Sequence, residues 1–174
     1  IAQGLEQTGT TVIKLDKELD HGPIVSSFKE KILEDDTTGT LRQRLFARSA
    51  KFLIDLITPY INGKITPQDQ NHKEATFTTQ VKKEDGFIPP EFLEAALSGQ
   101  TLSEKWPIHF IKDYSLVPSA LSLERFVRAL YPWPGAWTLL RQVRLGFAGQ
   151  ALKRLKILKS HLELKPPFIN HKSY

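Results

Sequence analysis

The 174-residue sequence predicts a mixed α/β fold, on three observations. Two β-branched, apolar runs lie close together near the start, at residues 10–15 (TTVIKL) and 23–33 (PIVSSFKEKIL). A stripe of apolar residues at spacings of three and four follows them, the signature of one helix face. Towards the other end, ALKRLKILK reads as a strand with one basic and one apolar tendency, the alternation slipping at Leu158.

The first two runs read as strands joined by residues 16–22. In the second, Ile24, Ser26, Phe28, Glu30 and Ile32 share one side. The helix that follows carries Leu41, Leu45, Phe52, Leu53, Leu56 and Ile57 towards a core. Thr37 or Thr38 is the expected N-cap, with Asp35 and Asp36 favouring the positive helix end. Pro59 and Gly63 are expected to stop it. From Gly63 to Pro90 the composition turns polar, which predicts a linker with a short strand near Ala75–Val81. A short helix is expected over residues 91–97, and no pattern resolves 98–118. Ser122 can cap a helix whose Leu123, Phe126, Val127 and Leu130 form one face, ended by Tyr131-Pro132-Trp133-Pro134-Gly135. AWTLLRQVRL and ALKRLKILKSHLEL then read as strands.

With 40% apolar and 25% charged residues the composition is that of ordinary globular protein. No run approaches the roughly 20 apolar residues of a membrane helix. The start, IAQGLEQTGT, lacks the layout of a secretory signal. With no cysteine, disulfides and thiolate metal sites are excluded, and a reducing cytoplasm is the expected setting. The chain opens on Ile1 and contains no Met, so it is expected to be part of a longer protein. Its net charge of +5 is uneven: residues 1–62 and 63–140 each carry −1, and 141–174 carry +7. Such a concentration suits a polyanionic partner as well as a plain basic surface.

Chemistry concentrates in LDKELDHGPIV, residues 15–25. Asp16, Glu18 and Asp20 fall on alternate residues and would share a face in extended geometry. Three neighbouring carboxylates repel, which raises the pKa of at least one. Such a group could bind a metal, act as a base or simply be solvated. His21 has no second His at ligand spacing, so zinc is not expected. Gly-rich phosphate loops, nucleophile elbows and zinc-protease motifs do not occur.

The run Thr8-Gly9-Thr10-Thr11-Val12, followed by Leu19-Asp20-His21-Gly22-Pro23-Ile24, resembles the strand–loop–strand of folate-dependent formyltransferases. Asp36-Thr37-Thr38-Gly39-Thr40-Leu41 resembles a helix start, and Lys82-Lys83-Glu84-Asp85-Gly86 a linker, of the branch that formylates methionyl-tRNA. Arg128-Ala129-Leu130-Tyr131-Pro132-Trp133-Pro134-Gly135-Ala136-Trp137 resembles the opening of that branch's C-terminal domain. These four matches occur in family order.

The resemblance implies a division of the chain. Residues 1–62 would be the C-terminal part of a Rossmann-like formyltransferase domain and 63–90 a linker. Residues 91–174 would be a partial OB-like β-barrel domain. It implies transfer of a formyl group from 10-formyltetrahydrofolate to an amine, with initiator methionyl-tRNA as acceptor, no metal, no membrane contact, and a monomer. Asp20 is implied as the catalytic carboxylate, sheltered beside a parallel sheet, with Leu19, Asp20 and Gly22 against the folate. Asp16 and Glu18 fall outside the pattern and are expected to be solvated neighbours. The family's Asn-x-His segment has no match in these residues, so the chain by itself is expected to be inactive. Phe87-Ile88-Pro89-Pro90 replaces the usual Ile-Asp-Trp, which leaves the local structure of 87–118 open.

Lys82, Lys83, Arg125, Arg128, Lys153, Arg154 and Lys156 are the candidate phosphate contacts. Arg125 and Arg128 lie one helical turn apart and could grip phosphate or only be solvated. PWPGAW is expected chiefly as a rigid turn with packed indoles. Alternatives are a formyltransferase acting on a sugar-nucleotide amine, a formyltetrahydrofolate hydrolase or dehydrogenase, and a noncatalytic RNA-binding module.

Overall fold

The computed structural model describes residues 1–100, 102–142 and 151–160. Strand β1 (Gln7–Ile13) pairs antiparallel with β2 (Ile24–Lys31), from Gln7 opposite Lys31 to a register shift between Val12 and Ile13. From Ser26 onward the even-numbered residues of β2 face inward and Ser27, Lys29 and Lys31 face water, as period two requires, while Val25 near the register shift is buried as well. Helix α1 (Thr38–Ile61) crosses the inward face. Phe52 meets Phe28 edge-on at 5.1 Å, the Arg48 guanidinium lies 4.4 Å over the Phe28 ring, and Ser49 Oγ donates to Thr10 Oγ1 at 3.1 Å.

Thr37 is the α1 N-cap, in a reciprocal capping box with Thr40. Asp36 precedes the cap and is 2% exposed. Pro59 does not stop the helix, as the sequence suggested, but lies inside its last turn. The helix ends at Asn62, whose N–H reaches the Thr58 carbonyl, and Gly63 takes the left-handed conformation (φ 68°) that a C′ residue favours. Leu41 and Leu56 are buried, but Leu53 and Ile57 are 44% and 46% exposed. The apolar stripe is wider than the two-stranded sheet it covers.

The expected strand at Ala75–Val81 is reduced to one isolated bridge, Thr78 with Ile111, and a second bridge earlier in the linker pairs Gln68 with Ile24. One-turn 3-10 helices form at His72–Glu74 and Lys83–Gly86. Helix α2 (Pro90–Leu97) follows, then a small hairpin of β3 (Trp106–Pro107) and β4 (Ser115–Leu116) in the stretch that pattern left open. Helix α3 (Ala120–Ala129) is capped by Ser119 rather than Ser122, which sits three residues on and completes the capping box. Strand β5 (Ala136–Gln142) pairs antiparallel with β6 (Ala151–Ile157). The expected strand residues 143–145 and 161–164 lie outside the described residues, as do Arg144, Glu163, Lys165 and Lys172.

The main core belongs to this second half. Ile88, Phe92, Ile108, Leu116, Leu123, Phe126, Val127, Leu130 and Ala136 form one buried cluster. Each large apolar side chain so placed contributes about 1.5–3 kcal/mol. Residues 87 and 88 run beside β5: Ile88 N–H donates to the Trp137 carbonyl at 2.7 Å, and Thr138 Oγ1 donates to the Ile88 carbonyl at 2.7 Å. Three two-stranded sheets form, and among the described residues they close no barrel. The halves are tied through the start of α1. Thr38 Oγ1 donates to the Ala129 carbonyl, Gly39 N–H to the Tyr131 carbonyl, and Arg128 Nη1 to the Asp36 carbonyl.

Candidate functional site

The β1–β2 connection is a built loop. Its neck closes where Lys14 N–H donates to the Pro23 carbonyl at 2.9 Å. A β-carbon on Gly22 would stand 1.7 Å from the Lys14 carbonyl oxygen, so only glycine fits there. Asp16 organises the interior: its carboxylate accepts from Glu18 N–H at 2.9 Å and pairs with His21 Nδ1 at 2.7 Å. Asp16 is exposed, as expected of a solvated neighbour, and it has a second role that the sequence did not show: it is the side-chain acceptor that holds the backbone of this turn. Glu18 remains at the rim, 4.0 Å from His21 Nε2.

The hydrogen bond to His21 holds the Asp16 carboxyl below its usual range, and the same bond raises His21. The signs define a window. Asp16's share is present above the ordinary carboxylate range and fades as pH falls through its lowered value. His21's share is present below the ordinary imidazole range and fades as pH rises through its raised value.

Asp20 stands at the tip with φ 55°, a left-handed conformation that Asp tolerates better than most residues. It is exposed, not sheltered in a cleft as expected, and Leu19 beside it is 93% exposed. The hairpin is a two-stranded antiparallel sheet, and Leu19 and Asp20 stand in the turn that joins its strands. Among the described residues the Asp20 carboxylate has no hydrogen-bond or ion-pair partner.

Contacts that the sequence did not reveal come from the polar segment some fifty residues on. Gln70 Nε2 donates to the Asp20 carbonyl at 2.9 Å and to the Gly22 carbonyl at 2.6 Å. The His72 ring stacks on His21 with centroids 3.8 Å apart and planes 3° from parallel. Nothing in local periodicity marks such a pairing.

The basic candidates divide. Trp137 gathers several of them: the Arg154 guanidinium lies 3.8 Å over its ring, and its Nε1–H donates to the Lys83 carbonyl at 3.2 Å. Lys156, opposite Trp137 in the sheet, passes its Cε close to Gly135. Linker and strand thus meet at Trp137, and Lys82 precedes Lys83 in the exposed linker. Lys153 is exposed too, but strand alternation turns it to the other side of the sheet. Arg128 is not free for phosphate: its Nε pairs with Glu124 at 2.5 Å and its Nη1 holds the Asp36 carbonyl at 2.6 Å. Arg125 is half-buried, with its guanidinium packed against Gly4. Of the two, Arg128 is a structural tie. A separate apolar groove of about 640 Å³, lined by Leu41, Leu45, Phe46 and Phe110 among others, takes no residue from the 14–23 loop.

Comparison with known families bears on both ends of this chain. Residues 1–57, which contain the Asp20 loop, match the family described as formyl transferase, and residues 117–167, which contain α3, β5 and β6, match its C-terminal domain. The chain belongs to the formyltransferase family. Among the formyltransferases it is similar to the methionyl-tRNA formyltransferase of Roseiflexus sp. (strain RS-1), at 33% identity over 81% of this chain and 35% of that protein. It is 33% identical to that of Chloroflexus aurantiacus (strain ATCC 29366 / DSM 635 / J-10-fl) over 90% of this chain and 40% of the relative. It is 29% identical to that of Bacillus subtilis (strain 168) over 80% and 36%. The chain spans less than half the length of these curated relatives. A Mycobacterium tuberculosis protein described as a candidate sugar N-formyltransferase shares the fold, with a TM-score of 0.55 and 16% identity over 92% of this chain and 56% of that one. The formyltransferase fold is thus mixed α/β here, as the residues predicted.

Proposed function

We propose that this chain carries the Asp20 loop and the acceptor-binding part of an enzyme that formylates initiator methionyl-tRNA from 10-formyltetrahydrofolate. The observation that carries the reading is the joining of two things in one formyltransferase chain. These are an organised loop presenting Asp20, and a basic face built on Trp137 by Arg154, Lys156 and the Lys83 backbone. Residues 1–62 are read as the back of the catalytic domain, 63–90 as a linker, and 91–174 as part of an OB-like barrel that uses its basic face against phosphates. The setting is the cytoplasm and the protein acts as a monomer.

In the reaction the acceptor amine attacks the formyl carbon, and the bond from that carbon to the folate nitrogen breaks. The amine loses a proton and the folate nitrogen gains one. A carboxylate beside the reacting centre accepts the first and supplies the second, directly or through water. Asp20 takes that role, with Leu19 and Gly22 lining the folate. Stabilisation of the oxyanion falls to groups outside these residues, an Asn-x-His segment by resemblance, so the chain by itself is inactive. A metal has no part in the scheme.

A second reading follows from the candidate sugar N-formyltransferase that shares the fold: the acceptor would be a nucleotide-linked amino sugar. A small acceptor has no use for an extended basic face. The full-length enzyme, offered both acceptors with 10-formyltetrahydrofolate, is expected to formylate methionyl initiator tRNA. Formylation of the amino sugar in its place would overturn the assignment. Charge reversal of Lys83, Arg154 and Lys156 is expected to weaken tRNA binding and to lower the slope of log K against log salt by roughly 0.7–0.9 for each phosphate no longer neutralised. Reversal of Lys153, on the opposite side of β6, is expected to do less. An unchanged slope in the triple variant means that the face does not meet the tRNA.

A further inference from the structure

We propose that Gln70, supported by His72, is a positioning residue that holds the Asp20 loop in its working shape. The proposal rests on the assignment of Asp20 above, and it concerns a segment on which that assignment does not draw. Three observations carry it. The Gln70 side chain spans His21: a single amide nitrogen, with two hydrogens, donates to the Asp20 carbonyl at 2.9 Å and to the Gly22 carbonyl at 2.6 Å. The segment bearing Gln70 is itself anchored on the hairpin, since Gln68 and Ile24 exchange both backbone bonds, at 2.7 and 2.8 Å. His72 then closes the other side by stacking on the His21 ring at 3.8 Å.

The need for such a strap is visible in the loop. Asp20 sits in a left-handed conformation without being glycine, which persists only where the surroundings determine it. Its carboxylate is exposed and unpartnered among the described residues, so no contact of its own fixes its direction. Within the loop only Asp16 supplies side-chain order, and it acts on Glu18 and His21, to either side of Asp20. Gln70 grips the backbone on both sides of His21 and so sets the direction in which Asp20 leaves the chain. Displacing a reacting group by about 1 Å can cost roughly a hundredfold in rate.

Three variants separate donation from bulk. Gln70→Ala removes both, Gln70→Glu keeps the shape and loses the donors, and Gln70→Lys keeps a donor. In this chain, ¹⁵N relaxation of residues 18–22 is expected to give order parameters near about 0.85 for the parent, and to fall below about 0.6 in the Ala and Glu variants. Lys is expected to restore part of the order, while β1 and β2 stay unchanged. In the full-length enzyme, kcat is expected to fall roughly ten- to a hundredfold for Ala and Glu, with KM for the acceptor little changed. In an Asp20→Asn background the same substitutions should cost almost nothing further, because Gln70 acts through Asp20. Unchanged loop order in Gln70→Glu overturns the strap, whatever the enzyme does. Lost order with full turnover, or equal losses with and without Asp20, overturns its positioning role. Normal turnover of Asp20→Asn by itself strikes the assignment of Asp20 and leaves the relaxation result to judge the strap.

Discussion

Full-length enzyme carrying Asp20→Asn is expected to fold like the parent and to lose formyl transfer by roughly 10²- to 10⁴-fold, the range that a positioned general acid–base group supplies. The two halves of that expectation come from different facts. Folding should be spared because the side chain is exposed and has no partner among the described residues, and substitutions at such sites usually change stability by less than about 0.5 kcal/mol. Asn also tolerates the left-handed backbone that Asp20 adopts, so the loop is not strained by the exchange. Activity should be lost because the amide cannot take up the amine's proton. Initial rates of formyl-methionyl-tRNA formation, set beside a thermal melt of each protein, measure the two effects independently. A variant that turns over near the parental rate removes Asp20 from the chemistry. A variant that melts early as well as failing to react would show that the loop, rather than the carboxylate, had been damaged.

Asp20 could be singled out in the sequence because its motif is local: Leu19, Asp20 and Gly22 are neighbours, and the strands on either side declare themselves by β-branching. The elements set by local spacing were equally legible, including the hairpin, the apolar face of α3 and, to within the choice between Thr37 and Thr38, the cap of α1. What could not be read depends on partners distant in the chain. Gln70 and His72 lie in a polar stretch whose composition says linker, and their contacts are with residues about fifty positions earlier. Asp16 and Asp20 are the same residue type four positions apart, yet one is bonded into the loop and the other stands free. Arg125 and Arg128 look alike on a helical wheel, but Glu124 and the Asp36 carbonyl occupy Arg128. Ser119 and Ser122 could each open α3, and the reciprocal bonds between them leave spacing unable to choose. Pro59 misled for a simpler reason. A proline costs a helix the bond to the residue four earlier, but one turn can still form after it when Asn62 and Gly63 close the end.

Asp36 and Asp35 show the same limit, and Asp36 supports the second large expectation. Removal of its carboxylate by Asp36→Ala is expected to destabilise the chain by about 1.5–3 kcal/mol, the range for hydrogen bonds to a charged group, since the Arg44 left behind is partly exposed and still pairs with Glu30. Every oxygen is employed. Arg44 Nη1 donates to Oδ1 at 2.8 Å and Nη2 to Oδ2 at 2.5 Å, Leu33 N–H reaches Oδ2 at 2.8 Å, and Thr40 Oγ1 reaches Oδ1 at 3.0 Å. Arg44 also binds Glu30 on β2, so one guanidinium joins the start of α1 to the sheet. The Asp36 backbone carbonyl, held by Arg128, joins the same turn to α3. Arg44 holds the Asp36 carboxyl down at about 2, against an ordinary 3.8. The depressed value fixes the sign. The contribution, about 2 kcal/mol, is present in full above the ordinary value and disappears as pH falls from there through about 2. Asp36→Asn keeps the shape and loses the charge, so it should cost less than Ala at neutral pH and should flatten the acid limb of the stability curve. Urea midpoints measured at neutral pH and at steps between about pH 4 and 2 test both. If Asp36→Asn loses stability in acid as steeply as the parent, the acid sensitivity belongs to other carboxylates, Glu30 first among them because Arg48 and Arg44 hold it low as well.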